Sequence, residues 1–466
     1  MDTGKLTGYI EKLKGELTDL SDYIFDQCEL GNQEYHSSAA IVKFLQAHGF
    51  RAEMGIAGLP TAFRAVWEKG KGGPSIGLLC EYDALENLGH ACGHHMQGAV
   101  TAGAAAALAE CLDAENYRII VYGTPAEETT CEKVQMVEKG CFRDIDVALM
   151  FHANATTSYD EDSLAMNSFH VTFYGKSAHA AIAPENGRSA LDALLLSFQG
   201  MEFLREHVRD DVRMHYTVCN AGGPANVVPE KAEGEFVLRS ENRAYLNQVI
   251  GRFERIIQGA ALMTETTYEV EQTKSLDNRI GVPGLNALLM KYAQALNAPC
   301  IRPPRKKNGS SDFGNVMYQL PGACLRVAFV PEGTASHTLA FRDAGKSEEA
   351  HRAVILGAQI LACTGAELIT QPEKLAEVKT EFARIKTERS EQCMLSGKQT
   401  PEHGLLSHAD FARVNFFKNQ TNISAAGITD VSWFLPLSSA FAVLEFLISL
   451  SREACICRRE SGILSE

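Results

Sequence analysis

Three short apolar runs, each closed by polar residues, constrain this chain more than any other feature. They are Ser75–Cys80 ahead of Glu81-Tyr82-Asp83, Tyr117–Tyr122 ahead of Gly123-Thr124-Pro125, and Asp146–Phe151 ahead of His152. Apolar runs of this length without alternation fit strands buried on both faces of a parallel sheet. Helical stretches separate them: the Ala-rich Gly98–Leu112, then Glu132–Gly140 with Val134, Met136 and Val137 as its apolar positions. Strand–helix alternation predicts an α/β sheet. Such sheets bind ligands beyond the carboxyl ends of their strands, and the polar clusters fall there.

Around Ser168 the pattern changes. Ser168–Tyr174 alternates as a strand, Ser189–His207 is helical, Met214–Asn220 and Ala232–Arg239 are strands, Tyr245–Met263 is a helix and Thr266–Gln272 a strand. That β-α-β-β-α-β order belongs to a ferredoxin-like unit, here read as a second domain inserted into the first. The α/β pattern then resumes with helix Gly284–Leu296, a strand near Ala323–Phe329, helix Ser347–Cys363 and helix Pro372–Lys386. The length of 466 residues accommodates two or three domains. The expected division is a discontinuous domain over 1–165 and 277–390, an insertion over 166–276, and an extension over 391–466 that begins with a linker at Gly397–Gly404.

Lys and Arg total 44 against 58 Asp and Glu, a net charge of −14. That excludes nonspecific nucleic-acid binding, which needs a basic surplus facing phosphate, and disfavours an anionic membrane surface. The 13 cysteines are scattered and odd in number, as reduced thiols of a cytoplasmic protein are. The N-terminus is charged and periodic and reads as an amphipathic helix, not a signal peptide. Residues 431–450 are long enough for a bilayer span at ~20 residues. Pro436 and Glu445 lie inside that stretch, and a charge at such depth costs roughly 2.5–3.5 kcal/mol. A buried or amphipathic helix is therefore expected in place of membrane contact.

The chemistry concentrates in three places. His90-Ala91-Cys92-Gly93-His94-His95 offers a thiolate and an imidazole two residues apart, with Gly93 permitting a tight turn. That pair suits zinc or a similar metal, and taken alone it equally fits a buried cysteine beside a capping histidine. In Gly123-Thr124-Pro125-Ala126-Glu127-Glu128 one carboxylate can bind a metal while its neighbour serves as general base. Taken alone, the pair reads as the acidic first turn of a solvated helix. His152, His179 and His337 are single histidines at strand or loop ends, and His95 is left open by its place beside His94. Together Cys92, His94, Glu128, His152 and His337 supply enough groups for two metals with a shared ligand, and Glu127 supplies the base.

With these residues assembled, the chain resembles the dinuclear-metal amidohydrolases of the aminoacylase and carboxypeptidase clan, the M-twenty metallopeptidases, and most closely their amidohydrolase subfamily. The matching stretches are EYDAL (Glu81–Leu85), GHACGH (Gly89–His94), GTPAEE (Gly123–Glu128), GKSAHA (Gly175–Ala180), NVVP (Asn226–Pro229), SSDFGNV (Ser310–Val316) and His337-Thr338. The resemblance implies a zinc-peptidase-like catalytic domain carrying an inserted ferredoxin-like lid and dimerisation domain. It implies two divalent ions, zinc or manganese with cobalt or nickel as alternatives, held by Cys92, His94, Glu128, His152 and His337. Glu127 matches the general base, and Asp83 an acid that orients a ligand histidine. His179 matches a lid histidine that steadies the oxyanion from the other protomer of a homodimer. Asn226 and Arg239 match lid residues that hold the substrate carboxylate.

The implied activity is hydrolysis of an amide in an N-acyl amino acid or dipeptide-like substrate with a free carboxylate, by a metal-bridged hydroxide. Two departures stand out: Thr129-Thr130-Cys131-Glu132 replaces a glycine run, and His95 replaces an Asp or Asn. A non-catalytic subunit of a hetero-oligomer is the main alternative. A cysteine hydrolase built on Cys92 would leave Glu127, Glu128 and His337 without work.

Overall fold

The computed structural model describes residues 2–304 and 309–397, with only the backbone of 392–397. The apolar stretch 431–450 and most of the expected linker and extension lie outside the described residues. The strands, in chain order, are β1 (Arg51–Met54), β2 (Phe63–Lys69), β3 (Ser75–Cys80), β4 (Tyr117–Gly123), β5 (Val147–Asn154) and β6 (Ser158–Tyr159). They continue with β7 (Ala165–Tyr174), β8 (Arg213–Asn220), β9 (Lys231–Ser240), β10 (Thr267–Leu276) and β11 (Gly322–Ala328).

One sheet has the order β1-β2-β4-β3-β5-β11-β6. Its centre is parallel, since β3 pairs with β4 and β5, and β5 with β11, in that sense. β3 is buried along its whole length, as its unbroken apolar run demands. The register sets Cys80 beside Gly123, so Glu81–Asp83 and Thr124–Glu128 leave the sheet at one edge. β1, β2 and β6 are antiparallel additions. β1 and β2 were not foreseen: Arg51–Met54 is a mostly exposed edge and Phe63–Lys69 mixes charged with apolar residues, so neither presents an apolar run.

Helix His94–Cys111 is buried around nearly its whole circumference. Alanine and glycine suit that place because small side chains let neighbouring elements come close. It packs on helix Glu348–Thr370, on the sheet and on the three N-terminal helices. Helix Glu348–Thr370 is long and apolar enough to cross a bilayer, yet 89% of its most apolar 18-residue stretch is buried within the protein. It is the core helix that covers the sheet. The last described helix, Pro372–Gly397, runs through the expected boundary at residue 391.

The second sheet has the order β10-β7-β9-β8 and is antiparallel throughout. Helices Ala190–Arg205 and Arg243–Thr264 pack on it, giving the β-α-β-β-α-β order. Ser189 and Asn242 cap these helices, accepting from the Asp192 and Tyr245 amides, which satisfies donors a helix start leaves free. Phe169, Phe173, Phe198, Phe236 and Phe253 sit in a core separate from that of the first sheet.

Candidate metal centre

The Gly89–His95 loop is set by Gly93. Its φ of +84° is left-handed, and a Cβ there would lie 2.6 Å from the Ala153 Cβ. Only glycine lets this loop rest on β5. The result is that Cys92 Sγ stands 3.7 Å from His152 Nε2. His94 opens its helix, with Nδ1 2.9 Å from Asp83 Oδ1 and Nε2 3.2 Å from Glu81 Oε2. The Asp83 carboxylate also accepts the Glu128 amide at 2.9 Å, so one residue orients two candidate ligands.

The Thr124–Glu128 turn carries a second left-handed residue, Ala126, at φ +58°. The buried Glu34 accepts its amide at 2.8 Å and holds it there. His337 is also left-handed, at φ +63°. Its amide donates to Ala91 O at 2.9 Å, which ties it to the cysteine loop. Its Nε2 lies 3.1 Å from Glu128 Oε1.

Ligand atoms of Cys92, His94 and His152 lie within 4.8 Å of one another, and so do those of Cys92, Glu128 and His337. Cys92 is common to both triads. His94, Glu127 and Glu128 form a further group of this kind. His94 Nε2 and Glu128 Oε1 are buried and make no hydrogen bond of good geometry, although Glu81 Oε2 and His337 Nε2 lie within ion-pair distance of them. Native proteins rarely leave such atoms unsatisfied. Two orphaned lone pairs within a thiolate–imidazole–carboxylate set fit a pair of divalent ions.

Burial, then the Glu81 and Asp312 carboxylates, push Glu127 up to about 8. Burial pushes the Cys92 thiol up to about 12, which makes it a poor nucleophile unless a cation stabilises the thiolate. Burial, then Arg326, bring His152 down to about 3, leaving the imidazole neutral as a ligand must be.

Sequence reading missed the groups beneath and beside the cluster. Lys133 is fully buried, with Nζ 2.6 Å from Glu81 and 2.8 Å from Asp312. Gln97 donates to Glu81 at 2.8 Å. Arg279, Arg326, Ser310 and Ser311 line the same cleft of about 340 Å³ as Cys92, Glu127, Glu128, His152 and His337. Glu81 and Asp312 lie in stretches already noted as motifs, which is the signal that could have drawn attention to them. His95 is buried, and its Nε2 donates to Gly345 O, 2.9 Å away, apart from the ligand groups.

The inserted unit contributes unevenly. His179 and Asn226 are exposed and adjacent, since Ala180 N donates to Asn226 O at 3.0 Å. Neither joins the ligand cluster of its own chain. Arg239 does reach the cleft's rim, donating from Nη1 to Ser310 Oγ at 3.1 Å.

Comparison with known proteins places this arrangement. Residues 77–344 match the peptidase family M20/M25/M40. The chain is 30% identical to a subunit of the p-aminobenzoyl-glutamate hydrolase of Escherichia coli K12, over 84% of this chain and 97% of that protein. It is 31% identical to the Xaa-Arg dipeptidase of Mus musculus, over 80% and 90% respectively. A dinuclear metal binding peptidase of the M20 family from Bacillus subtilis shares the fold, with a TM-score of 0.57 at 18% identity over 77% of this chain and 99% of that one.

Proposed function

Because the chain belongs to the peptidase family M20/M25/M40, whose members here are hydrolases of amide bonds in acyl-amino acids and dipeptides, we propose a specific version of that activity. The protein cleaves the amide of an N-acyl amino acid or dipeptide-like substrate with a free carboxylate, using Glu127 as general base. The observation that carries this reading is the pair of ligand triads sharing Cys92, with Glu127 beside them.

Cys92, His94 and His152 would hold one divalent ion and Cys92, Glu128 and His337 the other, zinc or manganese suiting the set and cobalt or nickel being alternatives. Bound there, the ions supply Lewis acidity, easing deprotonation of a water and polarising the scissile carbonyl. Asp83 accepts the Nδ1–H of His94 and leaves Nε2 free as a donor lone pair. Glu127 takes a proton from the attacking water and returns it to the leaving amine. Glu81 shares the Lys133 ammonium with Asp312, which keeps that corner rigid.

Arg239, through paired donors, and Asn226, brought with its neighbour His179 from a second copy, hold the substrate carboxylate. His179 steadies the oxyanion from a second copy in a homodimer formed through the inserted unit. Its exposure and its place outside the residues that line the cleft of its own chain support that assignment. The free thiols of the described cysteines support a reducing, cytoplasmic setting.

The test is Glu127→Gln. Turnover should fall by about 10²–10⁴-fold while metal content by elemental analysis stays that of the parent. A normal kcat would sink the mechanism. The alternative, a non-catalytic subunit, has support in relatives named as hydrolase subunits. A parent protein that binds no divalent ion tightly would favour it.

A further inference from the structure

We propose that the cleft selects substrates bearing a second anionic group, and that Arg279 and Arg326 read it. This rests on the hydrolase reading above and names its substrate class. Both arginines line the cleft that holds the candidate ligands. Arg326 is the β11 register partner of His152 on β5, so the two side chains leave one face of the sheet side by side.

The two guanidiniums share one counter-ion. Asp160, 3% exposed, takes Arg326 through Nε at 2.6 Å and Nη2 at 3.0 Å. Its Oδ2 also lies 3.0 Å from Arg279 Nη1. Two positive charges thus face one negative charge. The other acids of the cleft are already engaged: Glu81 by Lys133, and Glu127 and Glu128 within the ligand groups.

Arg279 carries a further mark. Its side chain is 7% exposed, yet its Nε is a buried donor with no acceptor. Folded proteins seldom leave such a donor unmet. A strut that only fastened strands together would pair its charges and satisfy its donors. The unmet Nε shows that Arg279 is not held as a finished strut, and a surplus positive charge at the wall of a catalytic cleft fits a carboxylate that arrives with the substrate. A neutral amide at that place would meet the donor without the charge, and a cation would be repelled. Arg239, assigned to the first carboxylate, stands at the same rim through Ser310, so the site would take a substrate with two.

The second carboxylate can come from the amino-acid side chain or from the acyl group. The metal-loaded wild-type protein is therefore assayed with two matched pairs, N-acetyl-glutamate against N-acetyl-glutamine and N-succinyl-leucine against N-succinamoyl-leucine, plus N-acetyl-arginine. At least one acidic member should exceed its neutral partner by about tenfold or more in kcat/KM, and that pair identifies the source of the charge. N-acetyl-arginine should be the poorest of the acetylated substrates. In Arg279→Gln and Arg326→Gln the acidic-to-neutral ratio should collapse towards unity, chiefly through KM. Ratios near unity in the wild type, or ratios unmoved in both folded variants, overturn the proposal. Neutral substrates cleaved as well as acidic ones would overturn this inference alone, whereas no amide cleaved by the metal-loaded protein would overturn the hydrolase reading with it. The wild-type comparison decides even if neither variant folds.

Discussion

Ala126 and His337 both hold left-handed backbone conformations that L side chains seldom adopt, and both adjoin the ligand cluster. Such strain costs of order 1–3 kcal/mol each and persists only where surroundings enforce it. For Ala126 the enforcing group is Glu34, which accepts the Ala126 amide and the Thr61 hydroxyl. Burial pushes the Glu34 carboxyl up to about 7, against the hydrogen bonds it receives. The folded state therefore binds this proton more tightly than the unfolded chain does. The associated stability is fully present below the ordinary glutamate pKa and is lost as pH rises through about 7. Glu34→Gln, uncharged throughout, should flatten the unfolding free energy measured by urea denaturation between about pH 5 and pH 7. An unchanged pH slope would remove Glu34 from the account. At this scale the sequence was readable where chemistry is rare: a Cys-Gly-His turn and a Glu pair after a strand stand out in a chain, and all five candidate ligands meet. Lys133, Asp160 and Arg326 were not readable. A lysine in a short helix or an arginine in a strand looks like a solvated residue until distant segments bring its partners, as Asp312 and Asp160 do here.

Elements were legible where one period dominates. Ser75–Cys80 coincides with the observed β3, and the inserted unit follows its expected order because its strands alternate and its helices do not. Where an element owes its place to neighbours, the reading faltered: β2 is held between β1 and β4 by backbone pairing, which leaves little trace in side-chain pattern. The Ala-rich helix begins at His94, four residues ahead of the expected Gly98, because the helix starts at the left-handed Gly93 and takes the candidate ligand His94 as its first residue. Its small residues have packing work. A Cβ on Gly103 would lie 2.7 Å from Leu17 Cδ1 and 3.4 Å from the Ala358 Cβ, so the N-terminal and core helices approach from two sides. Gly103→Leu should therefore overpack the contact and destabilise the fold by about 1–3 kcal/mol, despite leucine's better helix propensity. Thermal unfolding checks it, and an unaltered or raised Tm would mean that the helices part without loss.

The whole molecule poses the question of why His179 and Asn226 lie exposed and outside the candidate site. The inserted sheet ends in β8, an edge strand paired on one side alone and exposed along much of its length. The adjoining helix Ala190–Arg205 exposes Leu195 and Phe203, at 51% and 68%. Unpaired edges invite pairing with another chain, and exposed large apolar side chains beside one mark an interaction surface. An isologous dimer through this edge would bury the same patch on both copies and would bring His179 of one copy to the site of the other. Two inactive variants distinguish service in trans from service in cis. In a mixed dimer of Glu127→Gln with His179→Ala, one site carries both lesions. The other retains its own Glu127 and receives an intact His179 from its neighbour. Random exchange makes about half the dimers mixed, so about a quarter of all sites should regain full activity. If His179 acts within its own chain, each site keeps one lesion and mixing restores nothing. Activity measured after unfolding and refolding the two variants together, against each refolded alone, separates these outcomes. A sedimentation measurement on the same samples shows whether dimers formed, so a failure to recover activity in a dimeric sample would overturn service in trans.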